Sequence, residues 1–449
     1  MFGLSSEWLL RDDGRPIATA TVLSHPEQLD RLRESVPQAA ETAALAGDPC
    51  YDRILAALPQ RNRFRRALGV TPGQKLVVVS STWAPRSLFG GDAHADDDLL
   101  PWLLSGLPAE LPADEYRVVA VLHPNIWHGH GRGQVRAWLD DACRAGLHLA
   151  DPLEGWRQAL IAADCVLGDH SSVTYYAASI GVPVLLGAFP RQDLDPGSPV
   201  AALGRTAPHL TRHTSLRAQI DRTITGHDPA RYKDLADQTS SSPGESAALL
   251  RRLFYGLLDI PEPYARPALL DPLPLPPHTP PHLTAPVRVF TRRRDTAHPT
   301  VEVTRHAVTG DSPDPHANAD AAHTVVDEET RETGRLALAD IVVRRAATDD
   351  PRLGPPAAWT AETLARYPYC GMAVYVDGPD RCVAGVREGT VVRLTAASEP
   401  DGRADLCDPA AYASALYAWL SEGDGMPEEL TVWTGTRAHR VTVTPSPLP

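Results

Sequence analysis

The sequence predicts an α/β protein with a doubly wound parallel sheet, followed after a proline-rich linker by a smaller α+β domain. Three observations support this prediction. Short apolar runs alternate with helical segments between residues 46 and 258, glycine follows the ends of several helices, and ten prolines fall within residues 261–286. Continuous apolar runs are typical of strands that are buried on both faces of a parallel sheet.

The strands and helices of the first domain follow from these patterns. Four apolar runs predict strands at 75–81, 116–122, 164–167 and 182–186. Helices are predicted before the first of these strands, at 51–68, and between later ones, at 133–145 and 171–180. Gly69, Gly146 and Gly181 follow these helices and are suitable stop signals. Repeated strand–helix alternation predicts the doubly wound sheet.

Four regions make up the chain. Residues 1–45 form an N-terminal segment with a strand candidate at 16–23 and a helix candidate at 26–34, which Ser24 could cap. Residues 46–258 form the α/β domain, and 259–286 form a stiff linker or a strap across it. The last region, 287–449, is predicted to be a small α+β domain with a polar loop at 310–323 and a hairpin near 430–443.

Composition excludes some classes of function. A formal net charge of −13 argues against non-specific nucleic-acid binding, because no basic excess is available for phosphates. The six cysteines form no CxxC pair, which favours free thiols in a reducing cytoplasm. No signal peptide is evident and no apolar run approaches the roughly 20 residues of a membrane helix, so any membrane association is expected to be peripheral.

The strongest local feature is the sequence DCVLGDHSSVTYYAASIGVPVLLG at 164–187. A strand leads into a turn at Asp169, and Ser171 and Ser172 then begin a helix. Free N–H groups and hydroxyls at a helix N-terminus, at the carboxyl end of a parallel strand, suit a phosphate. The alternative is that Asp169 or Ser171 only caps the helix.

A histidine follows the strand at 116–122. His123 should therefore stand at the same sheet edge, where it could donate a hydrogen bond to a phosphate or protonate a leaving group. The alternative is a loop histidine satisfied by the backbone. His128 and His130 follow in an apparent glycine-rich turn, but no third ligand accompanies them, so no metal site is predicted.

Two further loops carry polar residues. Thr82 and Arg86 follow the strand at 75–81, and Arg86 either neutralises a diphosphate or is a solvated loop arginine. Gly47 and Pro49 make a tight turn with Asp52 in the helix that follows, and a structural role is favoured for all three.

Taken in order, these features resemble the CDP-glycerol glycerophosphotransferases of wall-polymer synthesis. The resemblance covers residues 47–187 and lies in four motifs: GDPCYD at 47–52, STW at 81–83, LHP at 122–124 and DHSS at 169–172. The family has a two-domain fold of the glycosyltransferase-B type, and the present motifs match its second, Rossmann-like half. Residues 1–45 would then be a remnant or the start of that half.

The resemblance implies a site and a reaction. His123 would contact the donor phosphate as the catalytic histidine, Ser171 and Ser172 would hold the diphosphate, and Asp169 would shape the turn, with Arg86 and Thr82 as further phosphate ligands. An acceptor hydroxyl would attack the distal phosphorus of CDP-glycerol and release CMP. A nucleotide sugar is the alternative donor. No tightly bound cofactor is implied, and nothing in the sequence supports a divalent metal.

The sequence also departs from the family. Cys50-Tyr51 replaces Arg-Asn, and His170 replaces a tyrosine. No room precedes residue 45 for the N-terminal half that supplies acceptor contacts. Either the start of the sequence is misplaced and the chain is truncated, or a partner chain provides that half, or the chain is a non-catalytic nucleotide-binding or interaction protein. An active enzyme would work on a cell-envelope polymer at the inner face of the membrane. The last domain contains three notable aromatic residues, Tyr367, Tyr369 and Trp433. We expect them to be core or surface residues and not a platform on which a ligand stacks.

Overall fold

The computed structural model describes residues 5–90, 99–263, 265–278, 283–309, 323–346, 352, 354–405 and 407–446. Most of the polar loop predicted at 310–323 lies outside these residues, and His323 begins a strand. Parts of the proline-rich linker, at 264 and 279–282, also lie outside them.

The N-terminal segment forms a parallel β-α-β unit in which β1 pairs with β2. Its elements are α1 (Ser6–Leu9), β1 (Thr21–Leu23), α2 (Pro26–Ser35), α3 (Pro37–Ala40) and β2 (Ala43–Leu45). Ser24 is the cap that the sequence suggested for α2, but it does not cap the helix. His25 is the N-cap, and its Nδ1 accepts a hydrogen bond from the Glu27 N–H at 3.1 Å.

The first domain is built on five parallel strands in the order β5-β4-β3-β6-β7 within the described residues. Its elements are α4 (Pro49–Ala57), α5 (Arg61–Ala67), β3 (Lys75–Ser81), α6 (Leu99–Glu110), β4 (Tyr116–Leu122), α7 (Pro124–His130), α8 (Arg132–Trp138), α9 (Asp140–Arg144), β5 (His148–Leu149), α10 (Trp156–Ala162), β6 (Cys165–Asp169), α11 (Ser172–Ser179), β7 (Val184–Ala188), α12 (Pro199–Thr206), α13 (Leu216–Thr225), α14 (Lys233–Asp237) and α15 (Ser246–Leu257), with 3₁₀ helices at Leu58–Gln60, Arg191–Asp193 and Pro229–Tyr232.

Strand β3 shows why this sheet is covered on both sides. Leu76 and Val78 pack in the hydrophobic core shared with α4, α5, α10 and α11, whereas Val77 and Val79 pack in a second core with α6 and α13. Side chains of a strand alternate between faces, so an unbroken apolar run fills both cores. The predicted doubly wound parallel sheet is therefore confirmed.

The proline-rich linker crosses the first domain. Leu273 is buried in the core beside α10, and the Pro274 carbonyl accepts a hydrogen bond from the Gln158 side chain at 2.8 Å. The Asp271 carbonyl accepts another from Arg53 at 2.9 Å. These contacts tie the linker to the domain surface and give it the course of a strap.

The last domain differs from the predicted small α+β domain. Within the described residues it is a closed barrel of nine strands in the order β10-β11-β12-β13-β14-β16-β15-β9-β8, which antiparallel pairing of β10 with β8 closes. Its elements are β8 (Val287–Arg293), β9 (Thr300–Ala307), β10 (His323–Asp327), α16 (Thr333–Ala337), β11 (Ile341–Arg345), α17 (Pro356–Arg366), β12 (Met372–Gly378), β13 (Arg381–Val386), β14 (Val391–Ala396), α18 (Pro409–Ser421), β15 (Glu429–Thr434) and β16 (Arg437–Pro445).

Helix α18 fills the barrel. It packs against β8, β9, β12, β13, β14 and β15. Its alanines, including Ala411 and Ala415, are fully buried and let the strands approach the helix closely. On β12, Met372 and Val374 face this core, whereas Ala373 and Tyr375 face the outer core beneath α17. The predicted hairpin is present as β15 and β16, with Gly435 in its turn.

Arg305 joins the barrel to the first domain. Its side chain is 3% exposed, and its guanidinium donates to Asp114 at 2.6 and 2.8 Å and to Asp408, the N-cap of α18, at 2.9 Å. Arg345 donates to both oxygens of Asp408. Burial alone would raise the pKa of Asp408, but the two guanidiniums and the Ala410 N–H hold it well below its ordinary value.

We expect Arg305→Met to destabilise the protein by about 3–5 kcal/mol, because it leaves buried carboxylates without their counter-charge. Asp408 has a depressed pKa in the folded state. Its stabilising contribution is therefore present above its unfolded pKa of about 3.9 and is lost as the pH falls below that value. Urea unfolding followed by tryptophan fluorescence at pH 7 measures the effect.

The control is Arg366→Ala, which breaks an exposed pair with Glu362 in α17. That change should cost no more than about 0.5 kcal/mol. Equal losses for the two variants would show that the Arg305 ion pairs do not hold the domains together.

Candidate functional site

The site lies where the strand order of the first domain reverses. The chain passes from β3 to β4 and β5 on one side, and then returns to β6 and β7 on the other. Crevices beyond the carboxyl ends of strands at such a point bind ligands in open α/β sheets. Here the crevice is a cleft of about 1160 Å³, lined by the loops after β3 and β4, the start of α11 and part of the N-terminal segment.

The cleft brings together several of the residues proposed from the sequence. Thr82, His123, Ser171 and Ser172 all line it. Trp83 is 44% exposed, and its ring centroid lies 6.4 Å from that of His123. The sequence placed these residues at the ends of three different strands, and the parallel sheet collects them at one edge.

Asp169 lies beneath the cleft, with no exposed surface. Its carboxylate accepts hydrogen bonds from the Thr82 N–H at 2.8 Å, the Leu88 N–H at 3.3 Å, the Ser81 hydroxyl at 3.2 Å and the Ser171 N–H at 3.1 Å. Burial raises the pKa of Asp169, and the neighbouring His170 and the hydrogen bonds oppose that shift. The carboxylate thus ties the loop after β3 to the turn before α11.

Ser171 is the N-cap of α11. Its hydroxyl accepts a hydrogen bond from the Thr174 N–H at 3.2 Å and shares another with the Thr174 hydroxyl at 2.9 Å. The N–H groups of Ser172 and Val173, in the first turn, have no partner inside the helix. Ser172 is exposed. The helix therefore offers these N–H groups and the Ser172 hydroxyl to the cleft, at the positive end of its dipole.

His123 is the N-cap of α7. Its Nδ1 accepts a hydrogen bond from the Asn125 N–H at 3.1 Å, so the neutral ring carries its proton on Nε2. Burial lowers the pKa of His123, and the Asp169 carboxylate opposes that shift. The ring is therefore neutral at pH 7, and Nε2–H is a hydrogen-bond donor rather than a strong acid.

Arg86 does not line the cleft. Its guanidinium forms an ion pair with Asp193, a cleft residue, so its charge is already engaged. Asp52 accepts hydrogen bonds from the Gly244 N–H at 2.7 Å and the Ser246 N–H at 3.0 Å and thereby anchors the start of α15. Gly47 has a φ of +68°, and Pro49 is the first residue of α4, so both shape the turn.

Arg157 is a cleft residue that the sequence analysis missed. It lies in α10, 4.4 Å from the centroid of the Trp156 ring, and donates to Cys50 Sγ at 3.3 Å and to the Leu153 carbonyl at 3.4 Å. Among the described residues it forms no salt bridge, which leaves its charge available to an anion. Its signal in the sequence, a Trp-Arg pair before a buried strand, is too common to single out.

Two further histidines predicted beside the site, His128 and His130, lie in a helix. His128 and His130 lie within α7 and not in a glycine-rich turn, because the Pro124 ring suits the first turn of a helix. Among the described residues, no group of three or more His, Cys, Asp or Glu side chains could hold a metal ion. His170 lines the cleft, and its buried Nδ1 has no hydrogen-bond partner in the described part of the chain.

Comparisons with known proteins give distant structural similarity. No protein-family profile and no curated protein sequence matches the chain. Similar solved structures include the wall teichoic acid polymerase TagF (15% identity, TM-score 0.36, 54% of this chain and 57% of that one). Others are a glycosyltransferase from Rickettsia africae (12%, 0.31, 55% and 64%) and Anabaena HepE with UDP and glucose (14%, 0.29, 54% and 64%).

The chain therefore spans a little over half the length of the polymerase. Identities and TM-scores this low do not assign it to a family, and the chemistry of the cleft has to follow from its own residues.

We expect nuclear magnetic resonance of the His123 ring to show the Nε2–H tautomer and a titration midpoint below about 6.5. Asn125→Pro removes the N–H that bonds Nδ1 and should increase the Nδ1–H tautomer, while proline remains acceptable in the first helical turn. Asn125→Ala keeps the N–H and is the matched control. A midpoint above 7 in the unmodified protein would contradict the proposed protonation state.

Proposed function

We propose that the cleft binds the diphosphate of a nucleotide-activated donor and that the chain is the donor-binding part of a transferase. The observation that supports this most directly is the convergence of the α11 N-terminus, His123 and Arg157 on one cleft at the switch point of the sheet. Each of these groups donates hydrogen bonds, and together they suit an anion with several oxygens.

The charges in the cleft favour a phosphate over a cation. Asp193 pairs with Arg86, and Asp195 lies 3.4 Å from Arg31, which it shares with Glu27, so each of these carboxylates has a guanidinium beside it. Asp48 accepts hydrogen bonds from the Cys50 N–H at 2.8 Å and the Tyr176 hydroxyl at 2.6 Å. The charge of Arg157 then remains for the ligand.

In the reaction that we propose, an acceptor hydroxyl attacks the distal phosphorus of CDP-glycerol. The bond from that phosphorus to the bridging oxygen breaks, a phosphodiester forms, CMP leaves, and the proton of the acceptor hydroxyl passes to solvent. His123 Nε2–H and the first N–H groups of α11 stabilise the charge on the diphosphate, so positioning and electrostatics supply the catalysis. With a nucleotide sugar, the same groups would stabilise a departing nucleoside diphosphate.

The acceptor half and the location are also part of the proposal. A partner chain or another segment would supply acceptor contacts, and a cell-envelope polymer is the proposed acceptor, reached at the inner face of the membrane. In the described part of the chain, every helix is too short or too polar to cross a bilayer.

A nucleotide-binding protein without transferase activity is the second candidate. One observation favours it: the cleft carboxylates Asp48, Asp193 and Asp195 are all engaged in ion pairs or hydrogen bonds, so none is free to act as the general base for an acceptor. This candidate keeps the same diphosphate site and differs only in turnover.

Isothermal titration with CDP-glycerol, CDP, CMP, cytidine and UDP-sugars tests the site. We expect at least one nucleoside diphosphate compound to bind, and its affinity to exceed that of the matching nucleoside by tenfold or more, because charge-assisted hydrogen bonds contribute about 1.5–3 kcal/mol each. Arg157→Ala should weaken binding about tenfold on the same basis, and His123→Ala should weaken it less because the ring is neutral.

Arg63→Ala, an exposed arginine of α5 outside the cleft, is the control and should leave binding unchanged. Equal affinity for diphosphate and nucleoside would refute the proposed site. Release of CMP from CDP-glycerol, with and without an added acceptor, separates the transferase from the binding protein.

A further inference from the structure

The candidate cleft is lined by three tryptophan side chains: Trp8, Trp83 and Trp156. Two of them already contact other groups. Trp156 stacks with Tyr176 at a ring-centroid distance of 6.0 Å, and the Arg157 guanidinium lies over its ring. Trp83 lies beside His123. The aromatic surfaces of these two tryptophans are therefore used, at least in part, by the protein itself.

Trp8 differs from the other two. It lies in α1 and is 63% exposed. Among the described residues, its indole makes no ring contact, cation–π contact or side-chain hydrogen bond. Tryptophan supplies a large and rigid apolar surface, and its exposure in the wall of a cleft leaves that surface available to a ligand.

The N-terminal segment holds Trp8 at the cleft. Leu9 and Leu10, the next two residues, pack against the core that contains Leu23 and Leu32. The Leu9 carbonyl also accepts a hydrogen bond from the Ile17 N–H at 2.9 Å. Successive residues of a helix point about 100° apart, so the leucines can anchor α1 while Trp8 faces the cleft.

This segment is in turn attached to the first domain. The Ser24 carbonyl accepts a hydrogen bond from the Ser241 N–H at 2.9 Å, and Arg31 lies 3.4 Å from Asp195. The position of Trp8 relative to the start of α11 is therefore set by contacts within the chain.

We propose that Trp8 is the surface on which the nucleobase of the bound nucleotide stacks. This inference rests on the proposed function. The anion-binding groups and the uncovered indole line one cleft, and a nucleotide joins phosphates to a flat aromatic ring. Every base has a π-face, so stacking does not distinguish one base from another. Trp8 therefore selects a nucleotide over a bare polyphosphate and does not choose between CDP and ADP.

Isothermal titration of the full chain with CDP, ADP and inorganic pyrophosphate tests the inference. Trp8→Ala should weaken the binding of CDP and ADP by about fivefold or more, because stacking of a base on an aromatic side chain contributes about 1 kcal/mol or more. Pyrophosphate has no base, and its affinity should change by less than about twofold. The variant should fold, since no residue of α1 is buried.

Two further variants separate stacking from a general effect on the N-terminal segment. Trp8→Phe keeps an aromatic face, so it should lose less than about threefold in affinity for CDP. Ser6→Ala changes an exposed residue of α1 that does not line the cleft and should leave all three affinities unchanged. Nuclear magnetic resonance should also show contacts between the Trp8 indole protons and H5 and H6 of bound cytosine.

The outcomes distinguish this inference from the proposed function. If CDP and pyrophosphate both bind and Trp8→Ala changes neither affinity, the stacking role is wrong and the diphosphate site stands. An equal loss for CDP and pyrophosphate would also overturn the stacking role, because the effect would not depend on the base. If none of the three compounds binds the unmodified protein, the proposed function fails and the role of Trp8 fails with it.

Discussion

The buried carboxylate of Asp169 is the constraint on which the candidate site depends. β3 and β6 are neighbouring parallel strands, and each is followed by a segment that lines the cleft: the loop after β3 and the start of α11 after β6. Asp169 connects these two segments by accepting hydrogen bonds from Thr82, Leu88 and Ser171. Gly168 permits the arrangement, since a Cβ there would lie 2.2 Å from the Thr174 hydroxyl oxygen. The loop and the helix N-terminus can therefore face one cleft.

Much of the first domain could be predicted because its signals are local. β3 and β4 were predicted to the residue, since each contains a short unbroken apolar run, at 76–79 and 118–122, that is followed by polar residues. β5 was missed because it has two residues and no pattern of its own. The long helix predicted at 51–68 is divided at Leu58–Gln60, where Pro59 ends α4 and a new helix begins.

The barrel and Arg157 could not be read from the sequence for a different reason. Ring closure depends on the pairing of β10 with β8, and strand partners are not encoded in either strand alone. An open sheet and a closed barrel share the same alternation of apolar and polar residues. Likewise, His123 and Ser171 follow strands directly and could be located from the topology, whereas Arg157 reaches the cleft from inside a helix, where only the tertiary packing decides which way it points.

The distribution of charge within the cleft explains how a protein with a net charge of −13 can present a site for phosphates. Two of its acidic residues lie beside guanidiniums, Asp193 beside Arg86 and Asp195 beside Arg31, and Asp48 accepts hydrogen bonds from uncharged donors. These two arginines therefore reduce the repulsion that the neighbouring carboxylates would exert on an anionic ligand. The direct attraction falls to Arg157 and to the dipole of α11, both short-range in physiological salt, where screening removes most of the attraction beyond roughly 8 Å. Such a cleft discriminates by contact rather than by long-range steering, and its selectivity follows from the fixed directions of the N–H groups that the sheet edge holds in place.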